Sequence, residues 1–464
     1  MSLQFGSTER GKSLLLYGGH EYVERSREPW MTQGISYWRC RHYRKHKCSG
    51  SMQTEGDSVT KEPGVHTHSG DPVTAQVQQV VSTLHSFAED SSDSVRNCVA
   101  NSVTSATCDV MQRLPSKSSL ERSVRRKRQR TDNAREIPHT RNFDIPPEYQ
   151  EIILHDSGVD DVDRIICMGD INIVTNLSGN SKLWMCDGTF ETTPILFYQL
   201  YTIHAKVGSN YPPCIYFLLP NKAQATYERM IDILLSVMPG LQPEKVLTDF
   251  ETAAINAFRK KFPSASTSGC FFHLSQCVIR KIASVGLKAR YENDRDFSVL
   301  MKCLPALAFV PEDDVITVFE ELVLTLPQEP EVEEVVAYFE SNYIRGMQIG
   351  GRRRDPRFPI KLWNHFEDAE ECAPKTTNCC EGFHNALKSV YMCAHPTMWK
   401  FLKGIARDIA VQRLVHQNAL VHRRDAPTNK YIKLAQRLAT KIKMYRAEVD
   451  KLLYLRAVAN MQVV

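Results

Sequence analysis

The order of apolar segments between residues 164 and 272 constrains the fold of this chain more than any other feature. Short apolar runs of the kind found in strands occur there beside segments whose apolar residues recur at helical spacing. The strand-like runs are residues 165–167, 171–174, 183–190, 197–207, 214–219, 245–248 and 267–272, and the helical segments are residues 226–237 and 251–261. This combination predicts a sheet covered by helices, the α/β class.

From residue 183 onward the predicted order is three strands, a helix, a strand, a helix and a strand, which matches an RNase H-like sheet. The pattern then becomes helical and stays so. We therefore expect a core in two parts, residues 144–290 and 361–400, separated by a helical insertion at residues 291–360. Residues 401–464 are predicted to form a helical C-terminal region.

Three acidic residues stand where this pattern would place a catalytic site. Asp187 lies in the strand-like run at residues 183–190, Asp249 follows the run at residues 245–248, and Glu381 lies at the probable start of a later helix. Three carboxylates that converge from two strand ends and a helix can hold two divalent metal ions, the arrangement used in phosphodiester chemistry. Each acid also has a simpler explanation, because Asp-Gly is a common turn, Asp249 could cap a helix, and Asn378 with Glu381 fits a capping box.

Residues 14–70 form a separate, strand-rich segment with a set of metal-ligand side chains. Cys40, Cys48, His66 and His68 are spaced C-x7-C-x17-H-x-H. Zinc binds two thiolates and two imidazoles tetrahedrally. A segment with so little apolar content would need a bound metal ion of this kind to fold alone. The alternative is a surface histidine pair with two unrelated cysteines.

The residues around these ligands resemble a FLYWCH zinc finger over nearly the whole of residues 14–70. The matching features are Leu16-Tyr17, Tyr37-Trp38-Arg39-Cys40, Tyr43-Arg44-Lys45, Lys47-Cys48 and His66-Thr67-His68. The resemblance implies that the four Cys and His residues bind zinc and that the module binds nucleic acid or protein. The basic residues interleaved with the ligands could contact phosphate or form a solvated surface; they are Arg39, Arg41, Arg44, Lys45 and Lys47.

Residues 71–143 are predicted to be a linker, with one helix at residues 74–84. The block at residues 122–130 carries many basic side chains and little apolar surface, so we expect it to be disordered. It favours either a nuclear import signal centred on Arg125, Arg126, Lys127 and Arg128 or a DNA-binding arm, and the alternative is a merely solvated run. We accordingly expect the protein in the nucleus.

The segments around the three acids resemble the transposases of Mutator-like elements (MULE) over about residues 145–410. The matching segments are Cys186-Asp187-Gly188-Thr189-Phe190, Thr248-Asp249-Phe250-Glu251, Gly269-Cys270-Phe271-Phe272-His273, Leu362-Trp363-Asn364, Thr377-Asn378 and Glu381-Gly382-Phe383-His384. The resemblance implies that Asp187, Asp249 and Glu381 are catalytic ligands of Mg²⁺ or Mn²⁺, with Cys270, His273 and His384 near the site. It also implies DNA as the partner, both terminal inverted repeats and target DNA, and a homo-oligomer on that DNA.

Three functions are compatible with these features. The first is a transposase that binds DNA and catalyses metal-dependent strand cleavage and transfer, with Arg352, Arg353 and Arg354 as further DNA contacts. The second is a domesticated descendant that acts as a nuclear DNA-binding regulator without catalytic activity. The third is a FLYWCH module used for protein contacts. Retention of the three acids favours the enzyme, whereas the lack of a visible zinc-binding SWIM motif after the core weakly favours the regulator.

The overall composition narrows the class of protein. The chain has 464 residues, a net charge of +5 and fourteen cysteines, and no apolar run approaches the length needed to span a bilayer. We expect the cysteines to be free thiols or metal ligands, and the sequence predicts neither a signal peptide nor a membrane segment.

Overall fold

The computed structural model describes residues 3–7, 13–25, 34–90, 94–132, 136–178, 182–208, 210–349, 352–421 and 429–461. The chain divides into two compact units, Met1–Glu136 and Ile137–Val464. Among the helices described, none is both long and apolar enough to cross a membrane.

The first unit opens with a six-stranded antiparallel sheet in which each strand pairs with the next along the chain. Its core contains Leu15, Tyr22, Trp38 and Met52, and the Trp38 indole N–H donates to Thr54 Oγ1 at 2.9 Å. The predicted β-rich module is therefore present, although its first strand begins before residue 14. The strands are β1 Gln4–Ser7, β2 Ser13–Tyr17, β3 His20–Glu24, β4 Ser36–Cys40, β5 Ser51–Glu55 and β6 Ser58–Lys61.

Four helices follow the sheet in the segment that we expected to be a linker: α1 Pro72–Asp90, α2 Val95–Val103, α3 Cys108–Arg113 and α4 Lys117–Asp132. The helix predicted at residues 74–84 is confirmed within α1. The expectation of disorder at residues 122–130 is wrong, because α4 is helical there. Leu120 and Val124 are buried in one cluster with Leu84 of α1 and Cys98 of α2. Two apolar residues four positions apart give α4 a narrow stripe, which suffices to pack it against two neighbours.

The second unit is built on a seven-stranded mixed sheet in the order β13-β12-β9-β10-β11-β8-β7. Strands β9, β12 and β13 are parallel to one another, and the remaining neighbouring pairs are antiparallel. Every residue of β8, β10 and β11 is buried, because helices cover both faces. The strands are β7 Ile153–Asp156, β8 Ile166–Gly169, β9 Leu183–Thr189, β10 Gln199–His204, β11 Pro213–Leu219, β12 Lys245–Thr248 and β13 Ser266–Gly269.

Two strand predictions in this unit need correction. Residues 171–174 form helix α5 (Ile171–Val174), because the Asp170 carboxylate accepts the Asn172 N–H at 2.8 Å and caps a helical turn. The strand predicted at residues 267–272 ends at Gly269, and helix α8 begins at Phe271.

The helices that follow α5 fall into three groups. Helices α6 Gln224–Val237 and α7 Thr252–Lys261 cover one face of the sheet, and α15 Asn378–Tyr391 with α16 Met398–Leu420 covers the other. The third group surrounds a helical core of its own, and its members are α8 Phe271–Ser284, α9 Lys288–Asn293, α10 Arg295–Ala306, α11 Val315–Thr325, α12 Pro330–Phe339, α13 Ile360–Trp363, α14 Phe366–Glu370, α17 Asn429–Lys443 and α18 Lys451–Met461.

The C-terminal helices do not form one region of their own. Helix α16 packs on the sheet through residues such as Phe401 and Ile405. Helices α17 and α18 join the core of the insertion, where the Tyr454 hydroxyl donates to the Phe309 carbonyl at 2.6 Å. A two-stranded hairpin, β14 Gln348–Ile349 and β15 Arg352–Arg353, precedes α13.

Candidate active site and finger metal site

The sheet brings Asp187 and Asp249 close together, because Asp187 lies in β9 and Asp249 directly follows its parallel neighbour β12. Lys245 pairs with Leu183, and Leu247 pairs with Met185. Two residues further along each chain stand Asp249 and Asp187. Neighbouring strands lie about 4.8 Å apart, so the two acids are adjacent. Asp187 lies inside β9, which continues to Thr189, and the turn explanation for this residue therefore does not hold.

Helix α15 brings Glu381 to the same face of the sheet. Cys380 is buried in one cluster with Met185 and Leu247. Because side chains alternate along a strand, Met185 shares a face with Asp187, and Leu247 would share that face with Asp249. Glu381 follows Cys380 in the first turn of α15. The three predicted acids are therefore brought to one region, from two adjacent strands and one helix.

The electrostatics of this region favour bound cations. Asp187 is only 5% exposed, and burial, followed by the charges of Asp249 and Glu381, raises its pKa well above the usual range. Burial also raises the pKa of Glu381. An ionised carboxylate buried beside other acids is unfavourable unless cations or donors compensate it. Carboxylate oxygens are the ligands that hard divalent ions such as Mg²⁺ or Mn²⁺ prefer. In the described residues, however, the three acids are not among the groups whose ligand atoms all lie within 4.8 Å of one another.

The other two acids, Asp249 and Glu381, differ in whether they serve at a helix terminus, the simpler explanation considered for each. Asp249 Oδ1 accepts the Glu251 N–H at 3.1 Å at the start of α7, so this acid does contribute to a helix terminus. The capping box that was the alternative explanation for Asn378 and Glu381 is not formed, because the N-cap of α15 is Thr377, without a side-chain capping bond.

Two histidines face these acids. His384 Nδ1 lies 3.5 Å from Asp187 Oδ2, and His273 Nε2 lies 3.6 Å from Glu381 Oε1. Burial lowers the pKa of both imidazoles, that of His384 to about 3, so they are neutral near pH 7. The other ring nitrogen of each, Nε2 of His384 and Nδ1 of His273, is buried without a hydrogen-bond partner. Such orphaned nitrogens fit a site that holds further ligands.

Cys270, which was expected near the acids, has a structural role at the start of α8. It is buried at the N-cap of α8, and its sulfur accepts the Thr377 N–H at 3.2 Å. The Phe271 N–H donates to the Lys375 carbonyl at 2.9 Å. These bonds tie the start of α8 to the start of α15, so Cys270 positions the helix that carries Glu381.

In the first unit, the four predicted zinc ligands come together. The ligand atoms of Cys40, Cys48, His66 and His68 all lie within 4.8 Å of one another. Cys40 Sγ is 3.2 Å from His68 Nε2, and Cys48 Sγ is 3.2 Å from His66 Nδ1. Tetrahedral zinc holds such atoms roughly 3.3–3.8 Å apart, given the usual Zn–S and Zn–N lengths. The donor set and its spacing therefore fit one zinc ion.

Two neighbours fix the position of the His66 ring. Its Nε2 is 2.7 Å from the Tyr22 hydroxyl, an outer contact of the kind that orients metal-binding imidazoles. A Cβ at Gly50 would lie 2.5 Å from His66 Cε1, so the ring packs where only glycine leaves room.

The basic residues of the finger differ in their surroundings. Arg41 pairs with Glu21 at 2.8 Å, and the Arg39 guanidinium stacks 4.0 Å from the centre of the Tyr43 ring. Arg44, Lys45 and Lys47 are exposed. Arg41 is thus compensated within the fold, whereas the three exposed cations remain available to a phosphate backbone.

The proposed import and DNA-contact residues are only partly open to solvent. On α4, Arg125 and Arg126 are exposed, and the Arg128 guanidinium donates to the Ala88 carbonyl at 3.2 Å inside the helical bundle. Arg354 is exposed beside the β14–β15 hairpin, while the side chains of Arg352 and Arg353 lie outside the described part of the structure.

One group of possible metal ligands in the second unit was not predicted from the sequence. His204, Cys379 and Cys380 place a ring nitrogen and two sulfurs within 4.8 Å of one another. The Cys-Cys dipeptide beside Glu381 was the available signal, but the approach of His204 depends on tertiary structure.

Comparison with protein families gives one match in each unit. Residues 5–68 match the FLYWCH zinc finger domain, and residues 183–277 match the MULE transposase domain. The second match includes Asp187, Asp249, Cys270 and His273 and ends before Glu381. No curated protein sequence matches the chain significantly. The predicted architecture, a FLYWCH-type finger followed by a MULE-type transposase domain, is confirmed by these two matches.

Proposed function

We propose that the second unit is a metal-dependent DNA strand-cleaving and strand-transferring enzyme of the transposase type, with an RNase H-like core. The observation that carries the proposal is the convergence of Asp187, Asp249 and Glu381 on one face of the sheet, with Asp187 almost fully buried. An exclusively structural or regulatory unit would have no use for three such acids together, because their mutual repulsion destabilises it.

The topology supports the RNase H-like interpretation. Strands β9, β10 and β11 form an antiparallel meander, and β12 and β13 extend the sheet in parallel beyond β9. Asp187 then lies in β9, and Asp249 directly follows its parallel neighbour β12. From β9 to β13 the elements follow one another along the chain as predicted from the sequence, whereas β7, at the opposite edge of the sheet, was not predicted.

The roles of the side chains follow from their positions. Asp187, Asp249 and Glu381 would hold two divalent ions, which activate a water or a 3′-hydroxyl and stabilise the leaving oxygen when bound. His384 and His273, neutral and within 3.6 Å of Asp187 and Glu381, orient these carboxylates. Cys270 holds the start of α15 in place through the Thr377 N–H.

The first unit supplies DNA binding in this proposal. A zinc ion held by the Cys₂His₂ group stabilises the finger, and exposed Arg44, Lys45 and Lys47 contact the phosphate backbone. The remaining elements of the proposal are action on terminal inverted repeats and target DNA, assembly of copies of the chain on that DNA, and nuclear import through the basic residues of α4.

A strand-cleavage assay tests this function directly. DNA carrying the terminal inverted repeats that flank the coding sequence is incubated with the full chain and Mn²⁺, and nicked products are resolved on denaturing gels. We expect cleavage by the wild-type chain, none by Asp187→Asn, and wild-type cleavage by Asp232→Asn, a matched change of an exposed acid that pairs with Lys261. Binding of the DNA without cleavage would favour the regulator, and cleavage by Asp187→Asn would refute the assignment.

A further inference from the structure

A second set of metal-ligand atoms lies on the same face of the sheet, one row away from the acids. In the β9–β10 pairing, Met185 is opposite His204, just as Asp187 is opposite Thr202. Opposed residues point to the same face, so His204 and Met185 form a row parallel to the row that contains Asp187. The first turn of α15 lies over both rows, with Cys379 and Cys380 above the row of Met185 and His204.

The atoms of this row are close enough to share one ion. A ring nitrogen of His204 and the sulfurs of Cys379 and Cys380 lie within 4.8 Å of one another, and the two sulfurs are 3.9 Å apart. Cys379 Sγ also lies 3.2 Å from the thioether sulfur of Met185. Three sulfurs and one imidazole thus converge from β9, β10 and α15.

The ring of His204 is held as metal-binding imidazoles usually are. It is completely buried, and its Nδ1 lies 3.0 Å from the Tyr211 carbonyl oxygen. Because a carbonyl only accepts, Nδ1 carries the proton and Nε2 keeps its lone pair. That lone pair now accepts from the Thr202 hydroxyl at 3.0 Å, a single neutral bond that a metal ion can replace.

We propose that Cys379, Cys380 and His204, with Met185 as a weak additional ligand, bind one thiophilic d¹⁰ cation, Cu(I) or Zn²⁺. Thiolate and thioether ligands select soft ions, whereas the neighbouring carboxylates select Mg²⁺ or Mn²⁺. The two sites therefore select different metal ions by the softness of their ligands, although α15 contributes to both. A disulfide within the Cys-Cys pair is disfavoured, because consecutive Cα atoms are about 3.8 Å apart and disulfides usually need about 4.4 Å or more.

Titration of the full chain with Cd²⁺ tests the proposal, because cadmium thiolates absorb in the ultraviolet and each thiolate site is counted. The finger supplies one such site and serves as an internal reference. We expect about two thiolate-bound ions per wild-type chain and about one in Cys379→Ser/Cys380→Ser. The matched control is Cys372→Ser/Cys393→Ser, which changes two exposed cysteines and should keep both ions.

Further variants separate loss of ligands from loss of folding. Cys379 is only half-buried, so Cys379→Ser alone should fold and still lose the second ion. His204→Gln should also reduce the count. Competition with Cu(I) and Zn²⁺ then distinguishes the two ions, and Met185→Leu should weaken Cu(I) more than Zn²⁺. A wild-type chain with only the finger's ion, or a folded Cys379→Ser chain that retains both ions, would overturn the proposal.

Discussion

Replacing Asp187 with asparagine should stabilise the metal-free second unit while removing its response to divalent ions. The substitution keeps the side chain's size and leaves an oxygen to accept the Gly188 N–H, which donates to Asp187 Oδ1 at 3.0 Å. It removes a negative charge from a site that is 5% exposed and lies close to Asp249, which directly follows the neighbouring strand β12. We expect the folded structure to persist, because no packing is lost.

The size of the effect follows from the strand spacing. Two carboxylates about 5 Å apart repel each other by about 3 kcal/mol at an effective dielectric constant near 20. Since the wild type can relieve this repulsion by binding a proton, the repulsion contributes at most about 3 kcal/mol to the gain in the variant. Saturation with Mn²⁺ at a hundred times its dissociation constant stabilises a binding-competent protein by about 2.7 kcal/mol. Manganese should therefore nearly close the gap between wild type and variant.

The dependence on pH has a defined sign. Burial and neighbouring acids raise the folded-state pKa of Asp187 above the unfolded value of about 3.9. A group with a raised pKa contributes stability that is fully present below its unfolded pKa and is lost as the pH rises through its folded pKa. The advantage of Asp187→Asn over the wild type should thus grow from pH 4 upward in metal-free buffer.

The assay must report on the second unit alone, because the finger binds its own metal. Denaturant unfolding followed by hydrogen exchange of peptides that cover β9 and β12 meets this need, in zinc-loaded protein with and without Mn²⁺. Asp232→Asn is the control for removal of an acid and should behave as the wild type. The reasoning fails if Asp187→Asn is less stable than the wild type without metal, or if Mn²⁺ stabilises both equally.

Three further predictions concern the first unit. Cys48→Ser should release the finger's zinc and unfold the six-stranded sheet, measured as zinc content and circular dichroism, and a folded sheet without zinc would contradict this. Val124→Asp places a charge in the core of the helical bundle and should expose α4 to proteolysis while zinc content stays unchanged. Arg125→Ala/Arg126→Ala leaves the Arg128 bond to Ala88 intact and should keep the protein in the cytoplasm, and unchanged nuclear accumulation would assign these residues another role.

The sequence predicted those parts of the fold in which local pattern and tertiary burial agree. Strands β9 and β12 were found because largely buried strands are continuous apolar runs, and Asp187 and Asp249 were found because each directly follows the apolar residues of such a run. The four finger ligands were found from chemistry and spacing. Convergence of these residues was only an expectation, since it depends on the register between β9 and β12 and on where α15 lies.

The wrong predictions concern short segments whose composition is compatible with two different local structures. Residues 171–174 have the composition of a strand, but one capping carboxylate, Asp170, turned them into a helix. The basic block of α4 was taken as unstructured because charge dominates its composition, although two buried apolar residues four positions apart are enough to hold a helix in place. In both cases a single side chain or pair outweighed the average character of the segment.

In the two proposals made above, helix α15 contributes ligands both to the acid site and to the thiophilic site. The sheet register sets out two parallel rows, Asp249 and Asp187 in one and Met185 with His204 in the other. Helix α15 adds consecutive residues to both rows: Cys379 and Cys380 lie over the row of Met185 and His204, and Glu381 lies over the row of the two aspartates. A residue inserted before Glu381 would rotate it by about 100° around the helix and would separate it from the acids. The spacing of Cys380 and Glu381 on α15 is therefore as constrained as the register of the strands beneath them.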